Sequence, residues 1–179
     1  MIRPVNINPQ DILLNFELYH MLKELKLENY RGFAHHIIPF KLLNVIVGAN
    51  NAGKSSVVEA LRITSFTVNR YKSLTYKRAP EWLDISGNYG VSPSIKNAEI
   101  NFDSICNQYN NDQPAIITAS FKDGSSVTTY LNKDAKVHSI IKSPKGKIIS
   151  SKGDALKLDL PSINILPQVG PLQREEFML

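Results

Sequence analysis

The sequence predicts an α/β fold in which a phosphate-loop helix packs on a mixed sheet extended by an antiparallel β-meander. Three observations predict it. Residues Gly48 to Ser55 read Gly-Ala-Asn-Asn-Ala-Gly-Lys-Ser, which satisfies the phosphate-loop pattern G-x-x-x-x-G-K-[ST]. An apolar run, Leu42 to Val47, precedes the loop and helical spacing follows it. Beyond residue 97 come short alternating runs separated by turn residues, the mark of strands joined by hairpins.

The elements are predicted in order. Met1 to His20 is a leader in which Ile12, Leu13 and Phe16 have helical spacing. Leu22 to Tyr30 is a strand with Leu25 and Leu27 on one face, and Arg31-Gly32 turns the chain. Phe33 to Phe40 returns as a second strand with Pro39 at its edge. Leu42 to Val47 is short, apolar and β-branched at its end, which predicts a buried third strand feeding the loop. The helix, Ser55 to Thr67, turns Val58, Leu61 and Ser65 to one face with Val57 adjacent, and Glu59 and Arg62 toward solvent. Residues 71–97, punctuated by Pro80, Gly87, Gly90 and Pro93, form an irregular surface insertion. Strands then follow at Ala98–Cys106, Ala115–Lys122, Ser126–Asn132, Val137–Lys142, Lys147–Ser151, Leu156–Leu160 and Ile163–Leu166. Asp123-Gly124 is the strongest hairpin signal among them.

Composition bounds the function. The chain has 179 residues, 42% of them hydrophobic, enough for a core of its own. No stretch has the apolar length of a membrane span, and Met1 to Gln10 lacks the basic-then-apolar pattern of a signal peptide. A lone cysteine, Cys106, excludes an internal disulfide framework and fits a reducing cytoplasm. It reads as a small core residue rather than a nucleophile. His20, His35, His36 and His138 lack metal-ligand spacing and read as structural or surface residues. The net charge is +5, and the lysines at 133, 136, 142, 145, 147, 152 and 157 against Asp134 and Asp154 carry a surplus of the same size. Such a stripe can neutralise DNA phosphates. It also serves to blunt the edge of a solvated hairpin, and the lack of arginine in it favours that plainer reading.

The loop's chemistry follows from its residues. Gly48 and Gly53 admit backbone conformations that a β-carbon would block. Successive N–H groups across Asn50, Asn51, Ala52, Gly53 and onward to Ser56 form an anion nest at the positive end of the helix. Lys54 adds a full charge for the β- and γ-phosphates, and the Ser55 hydroxyl is a ligand for Mg²⁺. The implied ligand is a nucleoside triphosphate with Mg²⁺.

The order strand, Asn29-Tyr30-Arg31, strand, phosphate loop with Asn50, then Glu59-Ala60-Leu61 resembles the N-terminus of ABC-class ATPases of the SMC, RecF and OLD (overcoming lysogenization defect) group, AAA-family proteins. The resemblance is close from about Leu22 to Arg62 and general beyond. It implies the first lobe of a P-loop NTPase domain over 21–179, with ATP sandwiched between two copies and its hydrolysis coupled to work on DNA: loading, repair or defence. A nuclease module follows in the OLD branch. The resemblance also implies that Arg31 lies near the phosphates. It makes Gln168, or failing that Gln173, the glutamine that arranges Mg²⁺ and the attacking water.

An apolar strand ending in Asp-Glu, which hydrolysis requires, is missing. Leu156-Lys157-Leu158-Asp159-Leu160 is the nearest imitation and Asp103 is no better. The Ser-Gly-Gly signature is missing too, so the lobe reads as incomplete. A nucleotide-sensing module without hydrolysis is the alternative. A GTP switch is disfavoured because Ala135 stands where Asn132-Lys133-Asp134 would need its guanine-reading Asp. A small-molecule kinase is disfavoured because residues 71 to 179 hold only Arg78 and Arg174 for an arginine lid.

Overall fold

Alternating burial builds the first strand. Leu25 and Leu27 of β1 (Leu22–Tyr30) are fully buried, as a half-buried strand of period two requires. The computed structural model describes residues 21–85, 87–95 and 100–166; the expected leader, 1–20, lies outside them. The further elements are β2 (Phe33–Pro39), α1 (Lys54–Val68), β3 (Tyr76–Arg78), β4 (Tyr89–Val91), β5 (Ala115–Phe121), β6 (Ser126–Leu131), β7 (Val137–Lys142) and a short α2 (Lys152–Leu156).

The strands form one seven-stranded sheet in the order β2-β1-β5-β6-β7-β4-β3. Every pairing among the described residues is antiparallel, so the sheet is antiparallel where a mixed one was expected. The Asp123-Gly124 hairpin forms: Gly124 has φ 91°, and the Asp123 carboxylate accepts from the Ser125 amide at 2.8 Å. The core joins Leu25, Leu27, Ile117, Val127 and Ile141 of the sheet to Ala60 and Ile63 of α1. A chain of buried hydroxyls also ties helix to sheet, Thr67 to Ser139 at 2.8 Å and Thr129 to Ser139 at 2.9 Å.

Several expected elements differ. The run Leu42 to Val47 forms no strand. Leu42 and Leu43 are each 81% exposed and Val47 is 83% exposed. Asn44 explains part of this: its side chain accepts from the Lys41 amide at 3.0 Å and donates to the Lys41 carbonyl at 2.8 Å. That local turn competes with a ladder. A run apolar on both faces is also a strand only where neighbours pair with it and layers cover it.

On α1 the buried face is Val57, Ala60, Ile63, Thr64, Thr67 and Val68, while Val58 is exposed. Glu59, expected in solvent, is turned toward β1. The 71–97 stretch, expected to be irregular, contributes β3 and β4, which extend the sheet through Val91 opposite Ser139.

Residues 100–106 make a turn and a single bridge, Tyr30 to Cys106, instead of a strand; Ala98 and Glu99 lie outside the described residues. Of the expected strand at 147–151 only the bridge Lys142 to Ile148 remains. Residues 152–156 are helical because Ser151 caps them, its hydroxyl accepting from the Asp154 amide at 3.1 Å. Ser-x-x-Asp is a helix-start signal, and it overrides the strand expected from Leu156. Ile163 to Leu166 runs without strand pairing, held by reciprocal bonds between Asn69 and Ile163.

Candidate phosphate-binding cleft

A cleft of about 560 Å³ is lined by Gly32, Asn50, Asn51, Gly53, Lys54, Ser55 and Ser56. It therefore brings the phosphate loop together with the β1–β2 turn. Helix α1 begins at Lys54, and its first internal bond runs from the Val57 amide to the Gly53 carbonyl at 3.1 Å. The N–H groups of Lys54, Ser55 and Ser56 precede that bond, so no carbonyl within the helix satisfies them. The first turn contains no acidic residue, and the positive end of the helix dipole keeps its pull on an anion.

Gly53 has to be glycine on two grounds. Its φ is 84°, the left-handed region that side chains avoid. A β-carbon there would lie 2.6 Å from Cζ of Phe33. Phe33, which sequence reasoning did not single out, thus forms the floor under the loop and stacks on His36 with ring centroids 5.5 Å apart. Asn51 is also left-handed, at φ 65°, and a β-carbon on Gly48 would lie 3.3 Å from that of Ala52. The Lys54 ammonium donates to the carbonyls of Gly48 at 2.7 Å and Ala49 at 2.6 Å.

Arg31, beside the cleft-lining Gly32, has its guanidinium engaged on protein acceptors. Its Nε and Nη2 donate to the two carboxylate oxygens of Glu59 at 2.9 Å each, and Nη1 donates to Ser104 Oγ at 2.6 Å. The buried Tyr30 hydroxyl donates to the same carboxylate at 2.5 Å. Burial, then the Glu59 charge, raise the Tyr30 hydroxyl far above its usual range. Burial opposes the charge of Arg31, but its bonds to Glu59 outweigh that and raise its pKa.

The remaining site residues are scattered. Gln168 and Gln173 lie outside the described residues. Asp159, the nearest stand-in for a metal-holding acid, faces Lys72 at 3.4 Å. That places it beyond the C-terminal end of α1, a helix of 15 residues, which is roughly 22 Å from the phosphate loop at 1.5 Å per residue. Asn132-Lys133-Asp134 is a hairpin turn in which the Asn132 side chain accepts from the amides of Asp134 and Lys136.

The lysine stripe divides: Lys133 and Lys136 stand at one end of the β6–β7 hairpin, while Lys142, Lys145 and Lys147 stand at the other. Lys147 and Asp154 meet at 3.2 Å there. Among the described residues no group of three or more His, Cys, Asp or Glu could hold a metal ion, and no helix is long and apolar enough to cross a membrane. His138 is a core residue with Nδ1 at 3.2 Å from Ser92 Oγ. Cys106 is buried too, and burial raises its thiol pKa.

The family model described as an AAA ATPase domain matches residues 21–165. Among curated proteins no match to the chain is found.

Proposed function

The chain belongs to the AAA ATPase domain family, and we propose that it binds ATP at the cleft formed by Gly48 to Ser56. One observation carries this reading: a glycine-hinged loop opens into the free amides of a helix start, with a lysine ammonium at the same opening. Amides and ammonium together match the charge of a triphosphate. Lys54 would leave its own loop carbonyls for the β- and γ-phosphates. Ser55 fits Mg²⁺, a cation that takes few protein ligands and fills its shell with phosphate oxygens and water. Bound there, Mg²⁺ neutralises charge that develops on the phosphates.

The finer reading is that of the SMC, RecF and OLD group. Two copies would close on ATP, and its hydrolysis in the complete protein would drive work on DNA, with Gln168 positioning water. The exposed apolar segment Leu42 to Val47 supports assembly, because such a surface calls for cover. A non-hydrolysing nucleotide sensor is the second reading. It is favoured by the cleft-lining residues, none of which is a carboxylate among those described.

Thermal unfolding with and without Mg-ATP tests the primary reading. The parent chain gains stability with ligand concentration and Lys54→Ala gains little. Equal shifts in both would remove Lys54 from the site, and a preference for Mg-GTP would move the chain toward the switch class.

A further inference from the structure

We propose that Arg31 and Glu59 form a positioning brace that fixes the β1–β2 turn against the phosphate-loop helix and so sets the width of the cleft; this rests on the nucleotide reading above. The brace acts through the backbone: Gly32, the next residue, is a wall of the cleft.

The geometry favours a brace over a direct phosphate ligand. Each of the three guanidinium nitrogens already has an acceptor, two on Glu59 and one on Ser104. Paired donors of this forked kind are strong and directional. The pair is shielded, with side-chain exposures of 14% for Arg31 and 24% for Glu59. Glu59 stands four residues after Ser55 on α1, so the two share a helix face one turn apart. Glu59 therefore stands one helical turn from the residue whose hydroxyl is expected to meet Mg²⁺.

The turn itself is strained and pinned. Asn29 and Arg31 both have positive φ, 47° and 51°; asparagine adopts this region readily, but arginine does so at a cost that its surroundings must offset. Enforcement comes from the 104–114 segment. The Arg31 amide donates to the Ile105 carbonyl at 2.8 Å, and Asn107 Nδ2 donates to the Arg31 carbonyl at 2.8 Å. The Asn29 amide group donates to the carbonyls of Asn110 and Gln113. A turn held in this way transmits the position of Glu59 to Gly32.

The test is Mg-ATP titration calorimetry on the full chain. Glu59→Gln is expected to weaken affinity roughly tenfold, since small misplacements of a positioned group cost this much or more, and Ser104→Ala two- to threefold. Ile141→Val, a core change in β7, lowers the melting temperature and leaves affinity unchanged; an affinity loss that merely tracked melting temperature would overturn the brace. Arg31→Gln combined with Glu59→Gln is expected to be no worse than the worse single variant, because the two act as a unit. Additive losses would mean that Arg31 reaches the phosphates independently and would also overturn it. Should Glu59→Gln fail to fold, Arg31→Gln and Ser104→Ala carry the comparison. A parent that binds in a Lys54-dependent way, with Glu59→Gln equal to it, defeats the brace alone. A parent that does not bind Mg-ATP defeats the nucleotide reading and the brace together.

Discussion

Replacing Gly53 by alanine tests the shape of the loop without any ligand. The backbone there has φ 84°, and an alanine in the left-handed region costs about 1–2 kcal/mol. The new methyl would also sit 2.6 Å from Cζ and 3.1 Å from Cε2 of Phe33. The ring is partly buried against the core, so it yields only by shifting its neighbours, and overpacking of this kind costs about 1–3 kcal/mol. Together the two effects amount to roughly 2–5 kcal/mol. For a chain of this size that lowers the melting temperature by roughly 4–20 °C. Calorimetric melts of Gly53→Ala, Phe33→Ala and the double variant separate the terms. The steric part vanishes when the ring is gone, leaving a coupling of about 1–3 kcal/mol between the sites. A Gly53→Ala protein that melts within about 2 °C of the parent, or strictly additive variants, would refute the placement of Phe33 under the loop.

Other perturbations act on separate parts of the molecule. Burial lowers the pKa of His138 below its ordinary 6.5, so the unfolded chain takes up the proton first. Stability is therefore full above pH 6.5 and declines as pH falls toward the native value; melts from pH 8 to 5 show this decline, and His138→Gln flattens it. If the lysine stripe serves the work on DNA proposed above, Lys142→Ala, Lys145→Ala and Lys147→Ala together would weaken binding to duplex DNA and reduce the slope of log affinity against log salt by about 3; an unchanged slope would assign these lysines to hairpin solubility alone. Val45→Thr with Val47→Thr leaves the melting temperature within about 1 °C, as exposed positions do, and lowers dye binding and self-association in light scattering. Unchanged association would show that this segment is not the adhesive surface.

What the sequence disclosed depended on how local the cause was. The hairpin at Asp123-Gly124 and the helix after Lys54 rest on neighbouring residues, and both stand within a residue or two of their expected bounds. The loop's glycines were legible because their role is conformational. Leu42 to Val47 was misread because its strand character depends on sheet neighbours rather than on itself, although Asn44 was a warning. Leu156 was misread because Ser151 and Asp154 form a capping signal that outweighs a short alternating run. Glu59 looked solvent-facing by periodicity, since a carboxylate is a poor core residue; its partner Arg31, far away in sequence, reverses that expectation. Phe33 passed as one apolar strand residue among several, and only the backbone of Gly53 above it reveals its use. The β3–β4 extension was hidden by the glycines and prolines around two very short strands.

The phosphate loop is held unequally. On its helix side it is fixed by the Val57–Gly53 bond, by the ring of Phe33 and by the Arg31–Glu59 pair. On its entry side, 42–47, no strand pairing exists among the described residues. Leu42, Leu43, Val45, Ile46 and Val47 expose between 44% and 83% of their surface, and covering them fully would contribute roughly 5–10 kcal/mol. The segment runs directly into Gly48 and Ala49, whose carbonyls now hold the Lys54 ammonium. Any element that pairs with the entry and recruits those carbonyls would release the ammonium toward the cleft. Phosphate binding, as proposed, would draw the ammonium in the same direction. Two events that favour one arrangement of Lys54 must strengthen each other, and equally so in both directions. If ATP binds as proposed, covering the loop's entry and filling its cleft would be coupled through the one side chain of Lys54.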